Sequence, residues 1–283
     1  MRKGGRRVRW KPGVWLATAF VAVASPAPAA DLAPASAAQA APTAYPSPSG
    51  WRFEATIVGW ATNLDGIVGV VKPPLFDVKV RYSDVMPHSE ALPMGGFVAK
   101  NDTFVIGADY GWTLASKNLA FPLFSFLPEP QISVTKTKYQ VGALFAGYRL
   151  AFGPPELSLY ATVGARYNNM AATFALTDPA IGYLRSKSLS ITWLDPTIGL
   201  LADYRLSPNW SFKASGDIGG FDVGSTLTSQ GSFSVAYNWT TSISTSVGYR
   251  ALYTDCLRSK SNGQAFRYAT TVHGPFAALT YAF

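Results

Sequence analysis

From Gly50 onward, apolar and polar residues alternate with a period of two in several separate stretches of the chain. In residues 210–218, WSFKASGDI, the apolar or small residues occupy every second position, and the same alternation covers 104–114, 157–168 and 243–251. Successive side chains of a strand point to opposite faces, whereas a helix repeats every 3.6 residues. No apolar run reaches the roughly 18 residues of a membrane-spanning helix. The pattern therefore predicts an all-β fold.

The connections between these stretches are alternately short and long. Short turns lie at 100–102, 153–155, 207–209 and 238–241, and longer segments at 115–132, 176–187 and 255–264. Short periplasmic turns and longer outer loops are typical of outer-membrane barrels. We therefore predict a closed antiparallel up-and-down transmembrane β-barrel of about ten strands, with both termini in the periplasm. The predicted strands lie near 51–61, 91–100, 103–115, 134–151, 157–173, 189–206, 210–219, 226–237, 242–253 and 265–283.

Residues 63–89 leave the strand number open. Residues 76–82 alternate like a strand, but Pro73 and Pro74 interrupt the segment before them. If this region crosses the membrane twice, the barrel has twelve strands. If it forms a loop or folds into the barrel mouth, ten strands remain, and ten is our prediction; eight is the lower alternative.

Composition indicates which face of each strand meets lipid. Charged residues make up 14% of the chain, against about 25% in ordinary soluble domains. A soluble barrel could hardly cover its surface with so few charges, so we expect the apolar faces to look outward into the membrane. The charges on the opposite faces are then predicted to line the lumen, and these residues are Glu54, Asp109, Arg166, Asp203, Arg205, Lys213, Asp217 and Arg250.

Aromatic residues cluster at the predicted strand ends beside short turns. Rings that are apolar on one side and wet on the other favour the membrane–water interface. We predict that the interface aromatics are Tyr204, Trp210, Tyr237 and Trp239.

The beginning of the chain predicts export. Six basic residues within positions 2–11 precede an apolar run from Val14 to Ala24 and the small-x-small sequence at 27–29. This pattern is that of a secretory signal peptide. We predict a signal peptide at 1–29, a disordered Ala/Pro-rich linker at 30–50 and an outer-membrane barrel at 51–283. Because six of the 24 basic residues leave with the leader, 18 remain against 16 acidic ones, and the mature net charge of +2 excludes nucleic acid as an expected partner.

Scattered short motifs resemble an uncharacterised family of proteobacterial outer-membrane barrels, similar in style to the opacity-type and outer-membrane-protein-A-type small barrels. The matching residues are Phe53-Glu54-Ala55, Gly59-Trp60, Leu64-Asp65-Gly66, Asp77-Val78, Tyr82-Ser83-Asp84, Met94-Gly95, Asp195-Pro196, Gly199, the run from Gly216 to Phe221, Gly224-Ser225, Gly248-Tyr249-Arg250 and Gly274-Pro275. The resemblance implies a barrel fold and an outer-membrane location, and it assigns no activity. The terminal alternation of Leu279, Tyr281 and Phe283 likewise resembles the signal that the barrel-assembly machinery reads.

The chain offers little for catalysis. Its two histidines are His88, in the predicted first loop, and His273, on the predicted lipid-facing register of the last strand. Catalysis by a nucleophile and a base requires the two within hydrogen-bond reach, and sequence proximity of His88 to Ser89 does not establish that. There is no metal-ligand spacing or phosphate loop, and we expect no cofactor, no metal site and no enzyme activity.

Three functions follow in order of expectation. The first is a non-enzymatic, structural or porin-like barrel that passes small solutes if its lumen is open. In a barrel of this size the inward charges either pair and fill the lumen or line a water-filled path. The second is a surface binding protein acting through its outer loops, and the third is a lipid-modifying enzyme. The expected partners are outer-membrane lipid and lipopolysaccharide, the assembly machinery at the C-terminal strand, and small solutes in the first case.

Overall fold

The strands of the chain join into one antiparallel sheet that closes on itself. The structure, a computed structural model, describes residues 50–71, 76–80, 89–91, 94–115, 119–122, 131–178, 182–259 and 265–283. The strands are β1 (Arg52–Trp60), β2 (Asn63–Val71), β3 (Phe76–Val80), β4 (Ser89–Ala91), β5 (Met94–Lys100), β6 (Phe104–Ala115), β7 (Leu119–Pro122), β8 (Gln131–Leu150), β9 (Leu157–Asp178), β10 (Gly182–Arg205), β11 (Trp210–Gly220), β12 (Leu227–Asn238), β13 (Ile243–Ser259) and β14 (Ala265–Ala282). The barrel closes where β1 pairs with β14.

Two pairs of strands act as single barrel strands. β1 and then β2 pair in the same direction with β14, with Trp60 opposite Phe276 and Asn63 opposite His273. β4 and then β5 pair in the same way with β6. β3 adds a hairpin to β2, and β7 adds one to β8. The described residues therefore form the predicted closed antiparallel barrel of ten strands.

Region 63–89 differs from each predicted alternative. Its first part, β2, continues β1 upward instead of crossing the membrane again, and β3 folds back along β2. Residues 81–88, including His88, lie outside the described residues.

Several strands are longer than the alternation predicted. β9 runs to Asp178 and β10 starts at Gly182, so the long loop predicted at 176–187 is wrong. β13 likewise continues to Ser259 through the first half of the loop predicted at 255–264. A bilayer needs about 9–11 tilted strand residues. Beyond it both faces of a hairpin can be polar, so the strand continues without the alternation that reveals it.

The end of the barrel that carries the short turns is called the lower end. Outward positions in the lower half are apolar and exposed. Ile57, Leu144, Val163 and Val247 are 61–66% exposed, whereas inward Val105 is fully buried. This is the predicted arrangement with apolar faces outside, typical of a barrel in lipid. No helix in the described residues is long and apolar enough to span a membrane.

Polar side chains shape the short turns. The Asn101 carboxamide oxygen accepts hydrogen bonds from the amides of Thr103 and Phe104 at 2.8 and 2.6 Å. The Thr240 hydroxyl accepts one from the Ile243 amide at 2.9 Å. Such bonds satisfy amides that leave the strand ladder. They hold the lower ends of the strands in register and so position the charges of the lumen.

Candidate functional site

All eight charged residues predicted to line the lumen share the inward register of the buried residues on their strands. The strand register separates them into a lower group near the short turns and an upper group. The lower group is Glu54, Asp203, Arg205 and Lys213, and the upper group is Asp109, Arg166, Asp217 and Arg250. Lys213 and Asp217 share one face of β11 but belong to different groups.

The lower layer is centred on Lys100. Its ammonium Nζ lies 2.9 Å from Glu54 Oε1 and 3.2 Å from Asp203 Oδ2. Lys213 Nζ approaches the other Glu54 oxygen at 3.5 Å, and Arg52 Nε lies 3.6 Å from Oε1. Buried charges must be paired to be tolerated. The Glu54 carboxylate therefore has three cations around it, and together with Asp203 these groups form a compact ionic layer.

The upper layer is centred on two arginines. Arg166, 1% exposed, places its guanidinium 2.6 and 2.7 Å from the two Asp217 oxygens. It also donates to the Thr228 hydroxyl at 2.9 Å. Arg250 donates to the Gln230 carboxamide oxygen and lies at a longer 3.8 Å from Asp109.

Trp60 adds an aromatic wall to the upper layer. The Arg250 guanidinium carbon lies 5.2 Å from the Trp60 ring centre, within the range of a cation–π interaction. The indole nitrogen of Trp60 donates to the Gly274 carbonyl at 3.1 Å. The ring is thereby held in place beside the guanidinium.

Three of these ion pairs cross the lumen. Three barrel strands separate β5 (Lys100) from β10 (Asp203) on the shorter way around. The same number separates β11 (Lys213) from β1 (Glu54), and β13 (Arg250) from β6 (Asp109). With ten strands in the barrel, partners so placed lie nearly opposite each other, so their side chains bridge the interior instead of lining its wall.

Two aromatic rings pack against glycines of the inner wall. Inward Phe145 lies over Gly107, where an added Cβ would come within 2.3 Å of the ring. Inward Phe276 lies in the same way over Gly248, at 2.8 Å. Glycine opposite each ring thus leaves room for that ring inside the barrel.

A third, uncharged-donor network surrounds Asp195 above the ionic layers, and the sequence analysis missed it. Asp195 is fully buried. Its carboxylate accepts hydrogen bonds from the Ser225 amide at 2.6 Å, the Trp193 indole at 3.0 Å and the Asn168 carboxamide at 3.4 Å. The Asp195-Pro196 and Gly224-Ser225 motifs quoted for the resemblance therefore meet here.

This network anchors the turn between β11 and β12 inside the barrel. Gly224 packs so closely that an added Cβ would lie 2.2 Å from the Leu194 carbonyl oxygen. Phe221 and Asp222 adopt left-handed backbone conformations (φ of 49° and 60°), which turn the chain sharply. The sharp bend thus lies at 220–226, and Asp217 belongs to β11 below it.

Cys256 lies on the inner wall beside the same turn. It is fully buried in β13, and with Trp193 and Tyr268 it forms an apolar cluster. Cys256 falls within the loop predicted at 255–264, and that prediction is wrong here because β13 extends beyond its apolar alternation.

A cavity of about 170 Å³ lies at the lower end of the lumen. Arg52, Glu156 and Arg205 line it together with the residues of the lower ionic layer. The other lining groups are mainly hydroxyls and the Asn238 amide. The cavity ends at the ionic layer and can hold water or a small polar solute.

The predicted interface aromatics lie together at the lower rim. The Trp210 and Tyr237 ring centres are 4.9 Å apart, and those of Tyr237 and Trp239 are 4.7 Å apart. Tyr204, on the same outward face, pairs with Phe212 in register. Leu279, Tyr281 and Phe283, the predicted assembly signal, point outward and are 50–62% exposed.

His273 has partners that the sequence did not reveal. It lies on the outward face of β14, as predicted, between the Tyr249 hydroxyl and the Asp65 carboxylate. Among the described residues no group of three or more His, Cys, Asp or Glu side chains could hold a metal ion.

Comparison with known proteins supports the fold and no closer relationship. No family model matches the chain, and no curated protein matches it significantly. The solved structure of the outer membrane protease OmpT from Escherichia coli matches with a TM-score of 0.50 and 11% identity, over 84% of this chain and 98% of that one. The fold is that of an outer-membrane β-barrel.

Two other solved barrels match at lower TM-scores. The attachment invasion locus protein Ail of Yersinia pestis is 14% identical over 82% of this chain and 98% of its own, with a TM-score of 0.34. A major outer membrane protein of Thermus thermophilus is 13% identical over 83% of this chain and 100% of its own, with a TM-score of 0.37. The finer resemblance of this outer-membrane barrel to opacity-type barrels stays a prediction, since no family model matches.

Proposed function

We propose that the chain is an exported outer-membrane protein with both termini in the periplasm and a closed lumen, whose role is structural and not that of an open pore. The signal-peptide pattern at 1–29 supports export. The short turns at one end of the barrel support the orientation. In this proposal the inward charges hold opposite walls together.

The observation that carries the proposal is the set of ion pairs across the lumen. Lys100 pairs with Glu54 on the neighbouring strand and reaches across the lumen to Asp203, and in the upper layer Arg250 reaches across to Asp109 at 3.8 Å. A solute passing through would have to break both layers. Removing one partner of a buried pair leaves an uncompensated charge and costs about 3–5 kcal/mol, which makes spontaneous opening rare.

Single-channel recording of the refolded mature chain in a planar bilayer tests the proposal. We expect no discrete, stable openings from protein that shows the heat-dependent gel shift of a folded barrel. A conducting barrel inserted in the same bilayer serves as the positive control.

The opposite result would assign a permeation role. Discrete openings whose ion preference changes in Lys213→Glu would identify the inward charges as the lining of a pore. Because the mature charge is only +2 by subtraction of the leader, such a pore would be weakly selective in the wild type.

A surface binding role is the second candidate, and the tall β8–β9–β10 wall favours it. These strands contain 20, 22 and 24 residues, about twice what a bilayer needs. The upper half of the wall therefore stands outside the membrane. Replacing residues 171–190 by a short turn should then abolish attachment of cells to a host surface or of phage to cells while the gel shift stays intact; unchanged attachment would exclude this wall as the binding surface.

A further inference from the structure

Three polar side chains form a hydrogen-bonded array on the outward face of the barrel. His273 Nε2 lies 2.9 Å from Asp65 Oδ2, and the Tyr249 hydroxyl lies 2.5 Å from His273 Nδ1. The residues come from β2, β14 and β13, so the array spans three neighbouring strands. A carboxylate only accepts hydrogen bonds. With Nε2 donating to Asp65, Nδ1 is left as the acceptor of the Tyr249 proton.

The array lies between the apolar and the polar part of the outer wall. On β13 and β14 the outward residues below it include Val247 and Leu279, which are 66% and 50% exposed. Above it, Arg267 pairs with Asp255 at 3.1 Å. In a membrane, acyl chains join their headgroups at the upper edge of the apolar part, so the ester groups of neighbouring lipids approach the array from its polar side.

The geometry matches that of an activated nucleophile. A hydroxyl within hydrogen-bond reach of a base, with the base oriented by a third group, is the arrangement that nucleophilic catalysis uses. Tyr249 is 36% exposed, so its hydroxyl can be reached. We propose that Tyr249 is a nucleophilic acyl-acceptor site for ester-linked lipids of the surrounding leaflet, with His273 as its base and Asp65 as the positioning residue.

The step transfers one acyl group. The Tyr249 proton moves to His273 Nδ1 as the phenolic oxygen forms a bond to the ester carbonyl carbon. The bond between that carbon and the lipid alkoxide breaks, and the alkoxide leaves with the proton from His273. The products are O-acyl Tyr249 and a lipid that has lost one chain. This reactivity goes beyond the proposed structural role and does not depend on whether the lumen conducts.

Tyr110 provides a matched control within the same chain. It also faces outward, is 39% exposed, and lies six residues above the lower end of its strand, as Tyr249 does. Its hydroxyl accepts a hydrogen bond from the Gln140 side-chain amide, whereas the Tyr249 hydroxyl donates to the His273 ring. The two phenols therefore differ chiefly in their hydrogen-bond partners.

The test uses the full mature barrel folded in phospholipid vesicles, with p-nitrophenyl dodecanoate as the acyl donor and peptide mass mapping as the readout. We expect acylation of Tyr249 to be about a hundredfold faster than that of Tyr110, as a positioned base provides. His273→Gln should reduce the Tyr249 rate to that of Tyr110. Asp65→Asn should slow it and Asp65→Glu should restore it, whereas loss of a structural contact alone would alter the gel shift of the folded barrel.

Vesicles without the synthetic ester identify the natural donor. One set contains phospholipid alone and the other adds lipopolysaccharide, and the mass of the acyl chain on Tyr249 distinguishes the two sources. Acylation in either set supports the proposal. Equal rates at Tyr249 and Tyr110, or an unchanged rate in folded His273→Gln, would overturn it.

Discussion

Two adjacent leucines allow the assignment of the barrel faces to be tested by one pair of substitutions. Leu200 faces outward on β10 and is 51% exposed, and Leu201 faces the lumen opposite Ser215. The outward apolar band of β10 extends from Leu194 to Tyr204, a length of about 33 Å that a strand tilt of about 40° reduces to about 25 Å of height.

Leu200 lies four residues above Tyr204, about 10 Å from the lower edge of this band and therefore close to the midplane. An arginine on the lipid face at the midplane costs about 2–4 kcal/mol. We therefore expect Leu200→Arg to lower the free energy of unfolding by that amount. Leu201→Arg places its charge in the polar lumen two residues from Asp203, and we expect it to cost less than Leu200→Arg because a carboxylate there can pair with it.

Guanidinium unfolding of the barrel in phospholipid vesicles, followed by tryptophan fluorescence, measures both values. The two variants share chemistry and strand position and differ in the face that they alter. Equal losses at the two positions, or a larger loss at Leu201, would refute the assignment of the outward face to lipid.

Two further predictions concern the turn held inside the barrel. Gly224→Ala should destabilise the barrel by about 1–3 kcal/mol, because its Cβ would lie 2.2 Å from the Leu194 carbonyl oxygen, whereas Gly231→Ala, with nothing within 4 Å, should be nearly neutral in the same titration. Asp195→Ala should cost about 3 kcal/mol, because buried donors lose their acceptor. Hydrogen exchange should show the Ser225 amide protected in the wild type and unprotected in this variant; protection in both would contradict the anchoring role.

The alternation in the sequence was sufficient to predict the inward and outward faces of the strands in the barrel wall. Outward Phe104 and Ile106 and inward Asp109 lie where the period of two predicted them, because side chains of a strand alternate whatever their partners are. The same rule failed at the top of β9 and β10, which continue into the loop predicted at 176–187. Backbone pairing does not require one face of a strand to be apolar, so it leaves little trace in the sequence there.

The sequence predicted which way several residues of the candidate sites face, but it did not predict which residues contact each other. The sequence indicated that Glu54 and Asp203 face inward, yet it gave no sign that Lys100 joins them. His273 was placed on the outward register, but Asp65, 208 residues away, could not be recognised as its partner.

The sequence by itself determined the barrel, its approximate strand number and the face to which each charge belongs, because these follow from local alternation and composition. Only the tertiary structure decided which charges meet, that they cross the lumen, and that Asp195 anchors a turn above them. The physical reason is closure: once the last strand pairs with the first, strand number and register place side chains from distant parts of the chain opposite one another, and no local pattern records that placement.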